Sequence, residues 1–156
     1  MHINCVFGIA INAWFDGWPY NNAFGSGMLH AWVIQHIDYI AIMAYRNRVQ
    51  GSNGVLSISQ GEIDYGATAT PEYRNVNLIK QNSRYQRPNG LAGIVIGVET
   101  DSTTETFGSS GESISYHGQT RTYFDAQMTT LVTTFGVKSS FAGRAIHYLR
   151  PYMQLV

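Results

Sequence analysis

Leu91–Asp101 reads LAGIVIGVETD, and this stretch decides the fold. From Leu91 to Val98 every residue is apolar or glycine, and Glu99, Thr100 and Asp101 follow at once. A strand with one face in water alternates apolar and polar residues. A run without alternation is buried on both faces, as strands of parallel sheets are. Two further stretches have the same form: Ile37–Arg46 (IDYIAIMAYR) ends on Tyr45 and Arg46, and Phe141–Tyr152 (FAGRAIHYLRPY) carries His147 and Arg150. In α/β folds ligands bind at the carboxyl ends of parallel strands, which is where these polar groups stand. The pattern points to a site before any motif is named.

Outward from these runs, Ile3–Ala13 reads as a strand rich in Val, Phe and Ile. Trp14–Pro19 follows as an aromatic loop with turn chemistry at Asp16-Gly17 and Pro19. Leu29, Trp32 and Val33 are spaced for one face of a helix over Gly27–His36, directly before a strand over Ile37–Tyr45. Gln50–Gly54 is a turn, and Val55–Thr68 reads as a helix with Ile58, Ile63 and Tyr65 inward. Asn75–Lys80 reads as a strand and Gln81–Asn89 as an exposed loop. After the strand Leu91–Val98 comes a Gly/Ser/Thr loop over Thr103–Ser113. Tyr123, Phe124, Met128, Leu131, Val132 and Phe135 then recur at helical intervals within Thr120–Phe135, closed by Gly136. Phe141–Tyr148 is the last strand, stopped near Arg150-Pro151. The order β-α-β-α-(insert)-β-α-β predicts a single α/β domain over residues 1–156, with a parallel sheet of about four strands and three helices.

Ten acidic and ten basic side chains cancel, and charged residues make up only 13% of the chain. No basic block exists to neutralise phosphates, so nucleic acid is not an expected partner. Nothing approaches the ~20 consecutive apolar residues of a membrane span, and no membrane association is expected. No secretory leader is evident at Met1–Asn4; secretion remains compatible with the composition. Cys5 is the only cysteine, which excludes an internal disulfide, and its apolar surroundings predict a buried, inert thiol. The five histidines are scattered without ligand spacing, so no metal is expected. No phosphate-binding glycine loop or nucleophile elbow occurs, and no cofactor is expected. Ten tyrosines and three tryptophans stand among many Gly, Asn, Ser and Thr residues, a surface suited to stacking on sugar rings and bonding their hydroxyls.

The segments Tyr39–Asn47 (YIAIMAYRN), Ile94–Thr100 (IVIGVET) and Phe141–Tyr148 (FAGRAIHY) resemble the last strands of a poorly characterised glycoside-hydrolase-like TIM-barrel family. Glu62–Tyr65 (EIDY) resembles the helix after strand six, and Thr106-Phe107 the loop after strand seven. The resemblance covers most of the chain. It makes Ile3–Asp16 strand five, with its Trp-x-Asp end, and the three segments strands six, seven and eight. It implies half of a (β/α)8 barrel, without counterparts to strands one to four. Half a barrel leaves an open sheet edge and an uncovered apolar face, so self-association, as a homodimer, is expected.

Retaining glycosidases on this fold commonly carry an acid/base after strand four and a nucleophile after strand seven. The resemblance places Glu99 at the second position and leaves the first empty. Glu99 is thus the catalytic candidate, as nucleophile or base; a structural ion pair with Arg46 or Arg144 is the alternative. Tyr45 and Arg46 are expected to orient it or bind substrate. Asp16, between Trp14 and Trp18, is the local candidate for the second carboxylate, against a plain Asp-Gly turn. Trp14 is a candidate sugar-stacking platform. His147 is a substrate-binding candidate against a core histidine bonded to backbone. The resulting expectation is a glycoside-hydrolase-like protein acting on carbohydrate. The alternatives are a non-catalytic self-assembling structural protein and a sugar-binding module.

Overall fold

The structure, a computed structural model, describes residues 7–23, 25–70, 91–107 and 111–155. The expected strand Asn75–Lys80, the loop Gln81–Asn89 and Cys5 lie outside the described residues. Four strands form one wholly parallel sheet in the order β1 (Gly8–Asn12), β4 (Tyr39–Met43), β5 (Gly93–Glu99), β8 (Phe141–His147). Strands that are successive in this sheet are also successive along the chain. Right-handed crossovers therefore bring every connecting helix to the same side. Those helices are α1 (Leu29–His36), α2 (Val55–Thr68) and α3 (Arg121–Phe135), with a short α4 (Leu149–Met153) after β8. The chain is α/β, with a four-stranded parallel sheet and four helices among the described residues, one short helix more than the sequence predicts.

The register shows how the apolar runs are used. Ile11, Ile42 and Ile96 lie side by side, as do Ile40 and Ile94, and all five are buried beneath the helices. Val33 and Ile34 of α1, Val55 and Ile63 of α2, and Phe124, Met128, Leu131 and Phe135 of α3 complete this core. Alternate residues point the other way. On that second face Tyr39, Ala41, Met43 and Val95 are half-buried and stand apart from the core. Among the described residues no helix packs on this face. Among the described residues the outer edges belong to β1 and β8, each paired there on one side, and Ile9 on β1 is exposed.

Some boundaries differ from the sequence expectation for identifiable reasons. The aromatic loop folds as a 3-10 turn (Phe15–Gly17) followed by a hairpin of β2 (Pro19–Asn22) and β3 (Gly25–Met28), with Gly25 at φ 134° in its turn. This hairpin occupies the start of the expected helix, so α1 begins at Leu29. Val55–Thr68 is helical as read. The Thr120 hydroxyl caps α3 by accepting from the Tyr123 N–H, and Gly136 closes it in right-handed rather than left-handed geometry. The Thr103–Ser113 loop carries a two-residue pairing of β6 (Thr106–Phe107) and β7 (Glu112–Ser113). After His147 the chain turns into α4 with Pro151 in its first turn, where a missing N–H costs nothing.

Candidate active site at the carboxyl ends of the strands

Register alone brings three polar side chains together. Glu99 of β5 is the partner of His147 on β8, so both lie level and on one face. Met43 is the partner of Gly97, and Tyr45, two residues further along an extended chain, comes level with Glu99 on that same face. These positions are on the face opposite the described helices. Tyr45, Glu99 and His147 line an open cleft of ≈ 220 Å³ with Asp101, Ser102, Thr103, Glu105, Ile114 and Tyr148.

Glu99 is only 7% exposed and is held at both oxygens. Its Oε1 accepts from the backbone N–H groups of Thr100 (2.8 Å) and Asp101 (2.7 Å). Its Oε2 lies 2.7 Å from Nδ1 of His147. The turn supplying the two N–H groups is itself fixed. The Ser115 hydroxyl donates to the Asp101 carbonyl at 2.6 Å while accepting from the His117 N–H at 3.0 Å. The Thr100 hydroxyl reaches the carbonyls of His147 (3.0 Å) and Tyr148 (2.8 Å), tying β5 to the end of β8. The peptide bond between His147 and Tyr148 is cis.

Aromatic rings wall the imidazole. Tyr45 stacks on His147 with centroids 6.0 Å apart and planes at 16°, and the Tyr148 ring lies at 3.6 Å. Burial, followed by the Glu99 carboxylate and Tyr148, pushes the Tyr45 phenol above its ordinary range, so it stays a neutral donor. The cleft thus combines a fixed carboxylate, an imidazole paired to it, two phenol rings and further carboxylates at Asp101 and Glu105. Such a set can accept and pass protons, hold hydroxyl groups and stack on a flat ligand face.

The other sequence candidates gather elsewhere. Trp14, Asp16 and Arg46 line a second cleft of ≈ 240 Å³ with Ala13 and Ile58. Tyr45 and Arg46 are consecutive in extended chain, so the side chain of Arg46 is sent to the helix side while Tyr45 enters the Glu99 cleft. Arg46 donates to the Tyr45 carbonyl at 2.6 Å, and the charges closest to it in effect are Glu112 and Arg48. Arg144 pairs in register with Ile96 and stands on the helix side as well. The partner of Glu99 is therefore His147, not an arginine. Among the described residues, Asp16 lines this second cleft and Glu99 the first.

Several residues of the site were not singled out from sequence. Tyr148 follows His147 directly, and strict alternation assigns the two rings to opposite faces. Ser115 sits in a loop whose Ser-x-Ser-x-His pattern (Ser113, Ser115, His117) resembles any polar turn. Its role depends on a parallel bridge between Ser115 and Glu99, which only the fold supplies. Among the described residues no group of three His, Cys, Asp or Glu side chains is placed to hold a metal ion. Comparison with protein-family models, curated proteins and solved structures found no match to this chain.

Proposed function

We propose that this is a glycoside-hydrolase-like protein that binds carbohydrate in the cleft at the carboxyl ends of β4, β5 and β8 and hydrolyses it there. Glu99, together with the His147 paired to it, supplies the base of the site. The observation that supports this reading is the Glu99–His147 pair, held at strand ends and walled by Tyr45 and Tyr148. Aromatic walls suit the apolar faces of a sugar ring, and the neutral and anionic polar groups suit its hydroxyls. Glycoside hydrolysis needs a second carboxyl group, about 5 Å away for retention and farther for inversion. Asp101 and Glu105 line the same cleft, whereas Asp16 lines the neighbouring one with Trp14 and Arg46.

A panel of aryl glycosides tests the activity. The wild-type protein is expected to release the aryl group from at least one of them, and Glu99→Gln to lose 100-fold or more of the rate, roughly the contribution of a positioned acid or base. Identical traces for the two proteins contradict the enzyme reading. Saturable sugar binding without turnover favours a sugar-binding module.

Among the described residues one sheet face is uncovered and both edges are unpaired, which favours a further element of the proposal, completion by a second copy. A two-fold axis along the barrel axis keeps all strands parallel and sets β8 of one protomer beside β1 of its partner, an isologous closure that removes both edges. It buries Tyr39, Ala41, Met43 and Val95 and encloses both Glu99 clefts in one barrel mouth. If such assembly occurs without binding or turnover of sugar, the protein is a self-assembling structural one.

A further inference from the structure

We infer that Glu99 is a positioning residue: it fixes His147 in the Nδ1–H tautomer and leaves the lone pair of Nε2 as the base presented to the ligand. The inference rests on the carbohydrate reading for the identity of that ligand, a sugar hydroxyl or its attacking water, but not for the state of the ring. Both oxygens of Glu99 are committed. Oε1 takes two backbone N–H groups, and Oε2 takes Nδ1 of His147. A carboxylate only accepts, so Nδ1 is the donor and a neutral ring carries no proton on Nε2. Glu99 is almost fully buried, while the His147 side chain is 45% exposed and lines the cleft. The imidazole is thus the member of the pair that reaches solvent and ligand, and the carboxylate acts through it. A buried carboxylate that holds a histidine in one tautomer and stabilises its charged form is a known division of labour in acid–base catalysis.

The backbone makes this testable with one atom. In Glu99→Gln the side chain keeps its shape, but its two ends are no longer equivalent. The Thr100 and Asp101 N–H groups can be met only by the amide oxygen, so the amide NH2 is forced into the Oε2 position. There it donates to His147 Nδ1 and moves the ring proton to Nε2. The substitution reverses the tautomer rather than merely weakening a bond.

Nitrogen-15 NMR of the imidazole rings, read through two-bond proton–nitrogen couplings on neutral rings, distinguishes the tautomers. Wild-type His147 is expected to be predominantly Nδ1–H and Glu99→Gln predominantly Nε2–H, with His30, His36 and His117 unchanged as reporters of an intact fold. Nε2–H in the wild type overturns the inference, and that spectrum decides even where the variant fails to fold. An unchanged tautomer in a folded variant overturns it too. Xylotetraose, cellotetraose and chitotetraose are then added to both proteins. A sugar that moves the wild-type His147 signals is expected to bind about tenfold more weakly to Glu99→Gln, the cost of about one hydrogen bond. A wild-type Nδ1–H ring that responds to none of the three supports the positioning role and contradicts the carbohydrate reading.

Discussion

The Glu62 carboxyl is fully buried on α2, and neither oxygen has a hydrogen-bond partner among the described residues. Burial, with the Asp16 carboxylate adding repulsion, pushes it up to about 8, although nearby backbone N–H groups of Glu62 and Asp16 soften the shift. Between about 4.5 and about 8 the folded protein keeps a proton that the unfolded chain releases. Stability therefore falls as pH rises through that window, at roughly 1.4 kcal/mol per pH unit at most, and levels off above it. Glu62→Gln is expected to remove this slope and to stabilise the protein by about 2–3 kcal/mol at pH 7. Urea unfolding of both proteins at pH 5 and pH 8 checks it; parallel behaviour of the two contradicts the assignment. Tyr116 offers a simpler case, with a buried hydroxyl that has no partner among the described residues. Tyr116→Phe is expected to be neutral or stabilising by about 1 kcal/mol in thermal unfolding. At this scale the sequence was only partly legible. Glu99, Tyr45 and His147 stood out because polar groups ended apolar runs. Glu62 did not, because it reads as one more polar residue of an amphipathic helix until its depth is known.

The helices and strands carry their own signals, and the clearest were the longest. Val55–Thr68 and the α3 region were legible because apolar residues recur on one face, and the β5 core because it never alternates. The β2–β3 hairpin was not, since Pro19–Asn22 and Gly25–Met28 are short, polar and glycine-rich, the composition of a loop. At the α3 N-terminus, Thr120→Ala removes the side-chain cap that accepts from the Tyr123 N–H and is expected to cost about 1 kcal/mol in thermal unfolding. Where α2 crosses β5, Gly66 has Ser140 and Ile94 within 3.0 Å of where a Cβ would stand. The Ser140 hydroxyl at that crossing donates to the Ile63 carbonyl at 2.6 Å. Gly66→Val is expected to force helix and sheet apart and to destabilise by about 1–3 kcal/mol. A wild-type melting temperature for Gly66→Val contradicts that packing.

On the scale of the molecule, among the described residues one face of the parallel sheet carries the helical core and the other carries none of it. Sequence showed the parallel sheet plainly, because buried strands and their order follow from apolar runs. It could not show which cleft each polar residue enters. That is set by one-residue alternation, which separates Tyr45 from Arg46, and by the 3-10 turn after β1, which brings Asp16 to the cleft of Arg46 and not to that of Glu99. The proposed closure of the sheet predicts a dimer by light scattering at micromolar concentration, and a stable monomer there contradicts it. The central claim, that the Glu99–His147 cleft takes carbohydrate, is tested most directly by equilibrium binding of an oligosaccharide panel. The proteins to compare are the wild type and a Glu99→Gln/His147→Ala double variant of unchanged fold. Saturable binding of at least one oligosaccharide by the wild type, lost in the double variant, is the predicted result. Equal binding by both proteins, or none by the wild type, contradicts the account.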